Sequence, residues 1–177
     1  RERKSALEIR EIGGVQKTAE ACMRSAISLI RATTIRKDRF LSWHGRKLGA
    51  EIVKQRICET ALQFGCNADH VIVACGKQGA EPHNEGSGFL KAHKPIIIDI
   101  YPRSRGSGYW GDLTRTVVKG KAPLRVQAMF NAVREAQEHA LRRIKDGVRC
   151  DAVHRSVEEV FAKHEFLWSS FQMQCLH

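Results

Sequence analysis

The stretch KPIIIDIYPRSRGSGYWGDLTRTVVKG, Lys94 to Gly120, decides how the rest of this chain is read. Pro95 and the run Ile96, Ile97, Ile98 lead into Asp99, a β-branched series ending in a carboxylate, which predicts a strand. Pro102, Gly106 and Gly108 break the pattern, and Tyr109 to Val118 resumes it, which predicts the returning strand of a hairpin. In such a pair Asp99 and Asp112 can lie across from each other, with side chains converging on one face. Facing carboxylates repel unless a cation sits between them, and divalent metal is the economical answer because carboxylate oxygens are hard ligands. The plainer alternative makes both aspartates turn or strand-end residues, one accepting backbone hydrogen bonds and the other paired to Arg103 or Arg115.

The pattern Asp99…Gly108-Tyr-Trp-Gly-Asp-Leu-Thr-Arg-Thr116 resembles the two-aspartate hairpin of the pita-bread metallopeptidases, the superfamily of methionine aminopeptidases, Xaa-Pro aminopeptidases, prolidases and creatinases. The Xaa-Pro aminopeptidase branch is the most similar, and the resemblance runs from about Arg3 to about Glu165. It implies an α+β, partial pita-bread (creatinase/aminopeptidase) fold, an antiparallel sheet with helices packed on one side. It also implies two divalent ions (manganese, cobalt, zinc or iron) activating a water, with Asp99 chelating one ion and Asp112 bridging both. The substrates implied are short peptides entering by the N-terminus. A lone loop histidine is ordinarily solvated or locally hydrogen-bonded. The resemblance gives His83, in the Pro82-His83-Asn84 step, the place of a substrate-binding and catalytic histidine that stabilises the tetrahedral intermediate. The inter-aspartate loop is slightly longer than the family pattern, which a hairpin tip tolerates.

With 177 residues, 42% of them apolar, one compact domain with a sizeable core is expected. No apolar run is long enough for a membrane span, and the charged start is not followed by a signal-peptide core, so the expected compartment is cytoplasmic. Cys22, Cys58, Cys66, Cys75, Cys150 and Cys175 form no CxxC pair, which predicts buried free thiols rather than a zinc framework. The net charge of +11 raises nucleic-acid binding, but the basic residues are scattered and no aromatic-basic stacking motif accompanies them.

An amphipathic helix is predicted from Ser5 to about Thr33, with Ser5 and Glu8 as a capping box, and Gly13-Gly14 weakens its first turns. Thr33 to His44 reads as a polar connection, and a second helix as Lys47 to Phe64, stopped by Gly65. His70 to Cys75 reads as a strand. The loop GKQGAEPHNEGSG after it lacks the Lys-Ser/Thr ending of a phosphate cradle. A third helix opens at Ala122-Pro123 and stops at Gly147, with Met129 and Phe130 as core, and Asp151 caps a fourth. His70 and His93 read as structural, and His154 and His164 as surface residues without an acidic partner at ligand spacing.

Residues 1–165 are therefore expected to form an incomplete pita-bread catalytic domain and 166–177 a divergent tail. The glycine-flanked histidine and two glutamates that the resemblance calls for are missing from this ending, and the beginning has no initiator Met. A truncated chain that is weakly active or inactive, with exposed apolar faces that favour a homo-oligomer, is the resulting expectation. The alternative is a non-catalytic pita-bread module that binds protein or nucleic acid.

Overall fold

The structure, a computed structural model, describes residues 3–81 and 83–166. The chain divides into two units, Arg1–Lys121 and Ala122–His177.

The first unit begins with α1, Ala6–Arg31. Glu8 N–H donates to the Ser5 hydroxyl at 3.3 Å and Ser5 N–H donates to the Glu8 carboxylate at 2.7 Å, so the predicted capping box forms. The helix runs unbroken through Gly13-Gly14 because its stripe of Val15, Ala19, Cys22, Met23, Ala26, Leu29 and Ile30 is buried, and tertiary packing outweighs the glycine cost.

The expected polar connection after α1 is instead a small antiparallel sheet: β1 (Thr34–Ile35), β2 (Leu41–Trp43) and β3 (Arg46–Lys47). His44 and Gly45, at φ 49° and 78°, supply the left-handed pair that a two-residue hairpin turn requires. These strands are too short and too polar to show a period of two. Because β3 takes Arg46 and Lys47, helix α2 starts at Ala50 and runs to Gln63, with Gly65 in the left-handed conformation just beyond it.

After the short β4 (Cys66–Asn67) comes β5, Ile72–Cys75, two residues shorter than predicted. The glycine-rich segment then opens with a 3₁₀ turn, Gly76–Ala80, where sequence reading gave a plain loop. Strand β6 (Ile96–Ile100) is followed by β7 (Arg103–Ser104), which pairs with β4, and by β8 (Leu113–Val117). The strand order of the central antiparallel sheet is β5-β6-β8. The return strand starts at Leu113 rather than Tyr109 because the hairpin tip closes on itself, with Ser104 N–H donating to the Tyr109 carbonyl at 2.9 Å and Gly108 N–H to the Ser104 carbonyl at 3.0 Å.

The period of two is clean in β6, where Ile96, Ile98 and Ile100 are buried and Ile97 and Asp99 face the other way. The three buried isoleucines share one core with Cys22 and Met23 of α1, Val53 and Ile57 of α2 and Val73 of β5. Each such side chain contributes roughly 1.5–3 kcal/mol by leaving water. One face of the sheet is thereby committed to the helices, and the face carrying Asp99 is left for chemistry.

In the second unit α3 (Leu124–Arg143) packs against α4 (Cys150–Lys163) around Ala132, Ala136, Val160, Phe161 and Phe166. Three expectations are corrected here. Phe130 is exposed, because the small Ala132 and Ala136 line the inter-helix seam. Asp151 is not the cap of α4 but lies in its first turn, accepting from the Arg149 guanidinium at 2.9 Å. His154 and His164 do have acidic partners, Glu158 at 3.4 Å and Glu135 at 2.7 Å.

Hydrogen bonds from His164 and Lys163 hold the Glu135 carboxyl down at about 2 from an ordinary value of 4.5. A carboxyl lowered on folding contributes stability that is present above its unfolded value and lost as pH falls through its folded one. Acid titration should therefore weaken the α3–α4 pair between about pH 4.5 and 2, with the effect muted by solvent because the group is partly exposed. Urea unfolding across that range should show the loss in the native chain and not in Glu135→Gln.

The described cysteines are all free, with Cys22 and Cys66 buried and Cys58 and Cys75 half-buried. Burial pushes the Cys22 thiol up to about 11, which makes it an inert core residue. Cys150 is exposed, against the expectation, and Cys175 lies outside the described residues, as does all of the expected tail except Phe166.

Candidate metal centre

Asp99 sits near the end of β6, and its cross-strand partner is Thr114, not Asp112. The Thr114 hydroxyl donates to Asp99 Oδ1. In the same register Ile100 opposes Leu113, so the next position places Asp112 opposite Tyr101, two residues along from the expected facing. A shift of two residues along the strand keeps the side on which a residue projects. Leu113 packs on the helix core, and its neighbours Asp112 and Thr114 therefore project to the face that carries Asp99.

The Tyr101 phenol lies within reach of both carboxylates. Burial, followed by the negative charges of Asp99, Glu85 and Asp112, pushes the Tyr101 phenol up from its ordinary value. Both aspartates act on one hydroxyl, and Glu85 adds a third carboxylate to the neighbourhood. His70 Nδ1 lies 3.2 Å from Glu85 Oε1 at the same end of the sheet, in keeping with its structural reading.

Neither arginine of the plainer alternative engages an aspartate. Arg103 Nε donates to the Gly108 carbonyl at 3.3 Å, and an Arg115 guanidinium nitrogen donates to the Thr114 carbonyl at 2.7 Å. Among the described residues Asp99 and Asp112 are in no ion pair.

The backbone of Asp112 is held from α1. Gln16 Nε2 donates to the Asp112 carbonyl at 2.9 Å, and Asp112 N–H donates to Gln16 Oε1 at 3.0 Å. Gly111 beside it packs directly on the helix, where a Cβ would lie 2.8 Å from the Val15 carbonyl oxygen. Tyr109 adds a third tie, its hydroxyl donating to Glu8 at 3.2 Å.

His83 stands in the loop between β5 and β6, exposed, at φ 64°. Asn84 N–H donates to the Glu81 carbonyl at 3.2 Å, closing a four-residue turn with His83 in its third position. Glycine or asparagine is the usual occupant there, so a histidine holds a backbone conformation that costs energy. The end of this loop is fixed to the sheet by Val73 N–H, which donates to the Glu85 carbonyl at 2.9 Å, and is braced internally by Gly86 N–H donating to Asn84 Oδ1 at 2.9 Å. His93 is structural as expected, its ring Nδ1 2.9 Å from the Lys121 carbonyl oxygen.

The Metallopeptidase family M24 model matches residues 11–177. The chain belongs to metallopeptidase family M24. An uncharacterised peptidase of Staphylococcus aureus (strain MRSA252) is 27% identical over 151 residues, which is 82% of this M24 chain and 38% of the relative. The fold matches a prolidase from Pyrococcus furiosus with a TM-score of 0.73 at 21% identity, over 91% of this chain and 44% of that one. It matches an X-Pro aminopeptidase from Thermotoga maritima with a TM-score of 0.72 at 25% identity, over 90% of this chain and 42% of that one. The architecture is thus the α+β pita-bread fold in part, and the M24 chain spans about two fifths of the length of these relatives.

Tested against the divalent metals of the family, the donors are right in kind, two hard carboxylates on one face with no arginine on either. They are few. Among the described residues no group of three or more His, Cys, Asp or Glu is gathered so as to hold an ion. Among the same residues no helix is long and apolar enough to cross a membrane.

Proposed function

We propose that this M24 chain carries the two-aspartate share of a metal-dependent aminopeptidase site of Xaa-Pro aminopeptidase type, which removes N-terminal residues from peptides. The observation that supports it is the shared face of Asp99 and Asp112 beside Tyr101, with Arg103 and Arg115 bonded elsewhere. When bound, divalent metal ions, manganese among the candidates, supply charge that polarises the scissile carbonyl and makes water a better nucleophile.

The chain's own residues set the stage for that charge. Asp99 and Asp112 hold the cations, and the Thr114 hydroxyl fixes Asp99 Oδ1 so that its other oxygen is left for a ligand. Tyr101, kept protonated to higher pH by burial and then by its acidic neighbours, can donate a hydrogen bond across the face. His83 faces the peptide and donates to the oxygen on which charge develops, its turn pre-aimed by the Glu81–Asn84 hydrogen bond. Two carboxylates give a low ligand charge count, so the 177-residue chain by itself binds divalent cations weakly and is slow or inactive as a peptidase.

The test uses the full-length gene product with Mn²⁺ and a peptide that begins Xaa-Pro. Release of the first residue should fall to background in Asp112→Asn, and retention of the native rate in that variant would contradict the reading. His83→Ala should lower kcat by about 10²–10³-fold with little change in cation affinity, the loss typical of removing one oxyanion donor.

A further inference from the structure

The grip of Gln16 on Asp112 is not needed for the core. Asp112 is exposed, and the sheet is already joined at β6 and β8 on the preceding pairs. Yet a side-chain amide 96 residues away in sequence bonds both the N–H and the carbonyl of this one residue, at 3.0 and 2.9 Å. Those two groups point away from β6, at a position where, among the described residues, no further strand lies alongside in the β5-β6-β8 sheet. Gln16 offers the acceptor and donor that a neighbouring strand would have offered.

The approach depends on the residue before. A Cβ at Gly111 would stand 2.8 Å from the Val15 oxygen and 3.1 Å from the Gln16 nitrogen, so any side chain there would lift the arm off α1. Glu8 and Tyr109 tie the same arm to the same helix two turns earlier. Three contacts from α1 thus converge on the segment that ends in Asp112, and each acts on its backbone or its neighbours while the carboxylate itself is left clear.

We propose that Gln16 is the positioning residue of the candidate metal centre: its amide fixes the rotation of the Asp112 backbone so that the carboxylate is presented on the face of Asp99. This rests on the reading of Asp99 and Asp112 as cation ligands. A ligand whose supporting hydrogen bonds are removed typically loses 10–100-fold in metal affinity. The amide does this without adding charge beside the two carboxylates.

The experiment compares the native full-length gene product with its Gln16→Met variant, which keeps the bulk and loses both hydrogen bonds, and with Asp112→Asn. Mn²⁺ affinity is read by the loss of the free-ion electron paramagnetic resonance signal, and amide hydrogen exchange is read residue by residue. Gln16→Met should weaken Mn²⁺ binding by about 10–100-fold. It should also speed exchange at the Asp112 amide while the Ile98 and Val73 amides stay protected. Gly111→Ala, which leaves Gln16 intact but pushes the arm off α1, should shift both readouts in the same direction and serves if Gln16→Met fails to fold. If Asp112→Asn abolishes binding and Gln16→Met binds as tightly as the native chain, the positioning role is overturned while the metal reading stands. If Asp112→Asn itself binds Mn²⁺ like the native chain, the metal reading falls, and Gln16 is then a purely structural tie.

Discussion

Replacing Gly86 by alanine should destabilise the first unit by roughly 2–6 kcal/mol, the combined range of a forced left-handed residue and an overpacked contact. Gly86 has φ 74°, and a Cβ there would fall 2.1 Å from the Val73 carbonyl oxygen and 2.7 Å from the Ala74 Cα, both backbone atoms of β5 that no rotamer change can move. The residue is also bonded on both sides, its N–H to Asn84 Oδ1 and its carbonyl accepting from Lys54 Nζ at 2.9 Å. Moving it away to relieve the clash would break those bonds and the Val73–Glu85 hydrogen bond next to them. Set against total stabilities of about 5–15 kcal/mol for ordinary domains, that loss takes the unit close to unfolding. Urea denaturation measures it directly, and a change below about 1 kcal/mol would show that the loop is not pinned to β5 in this way. Because the same backbone anchors the turn that bears His83, any Gly86→Ala protein that does fold should carry a displaced His83 loop.

The second large effect concerns the carboxylates. Asp99→Asn and Asp112→Asn should each lower divalent-cation affinity by more than about 100-fold, beyond the range seen when only a supporting residue is lost. Neither should lower stability much. Both side chains lie on a face where like charges gather around Tyr101, so removing one charge relieves repulsion. Loss of binding together with an unchanged or slightly raised melting temperature separates a ligand from a structural residue. A large fall in melting temperature with cation affinity intact would assign both aspartates to the architecture alone. Thr114→Val, which removes the hydroxyl donated to Asp99, should give a smaller loss of affinity in the same direction.

What the sequence made legible follows from how local each signal is. The capping box at Ser5 and Glu8 and the stop at Gly65 are written within a few residues, and both form. The isoleucine run of β6 is equally readable, because burial on one face imposes a period of two that a single chain displays. The register was less so. Whether Asp112 meets Asp99 or Tyr101 depends on how the Ser104–Gly108 tip closes, and that closure is set by hydrogen bonds the residue types do not specify uniquely. The β1-β2-β3 sheet escaped notice because its strands are two or three residues long, although the His44-Gly45 step was the available clue. Thr114 was within reach, since it shares the alternation of Asp112. Gln16 was not: nothing in an amphipathic helix distinguishes the glutamine that will bond a residue 96 positions later. Glu135 and His164 pair across two helices for the same reason, out of reach of any local pattern.

The most direct measurement is diffraction from crystals grown with Mn²⁺, using data collected at the manganese absorption edge. An anomalous peak within about 2.0–2.6 Å of one oxygen from Asp99 and one from Asp112 is the predicted result, the range expected for a hard cation on carboxylates. A map with no peak on that face at saturating Mn²⁺, or with the two carboxylates turned to opposite sides of the β6–β8 hairpin, would contradict the account.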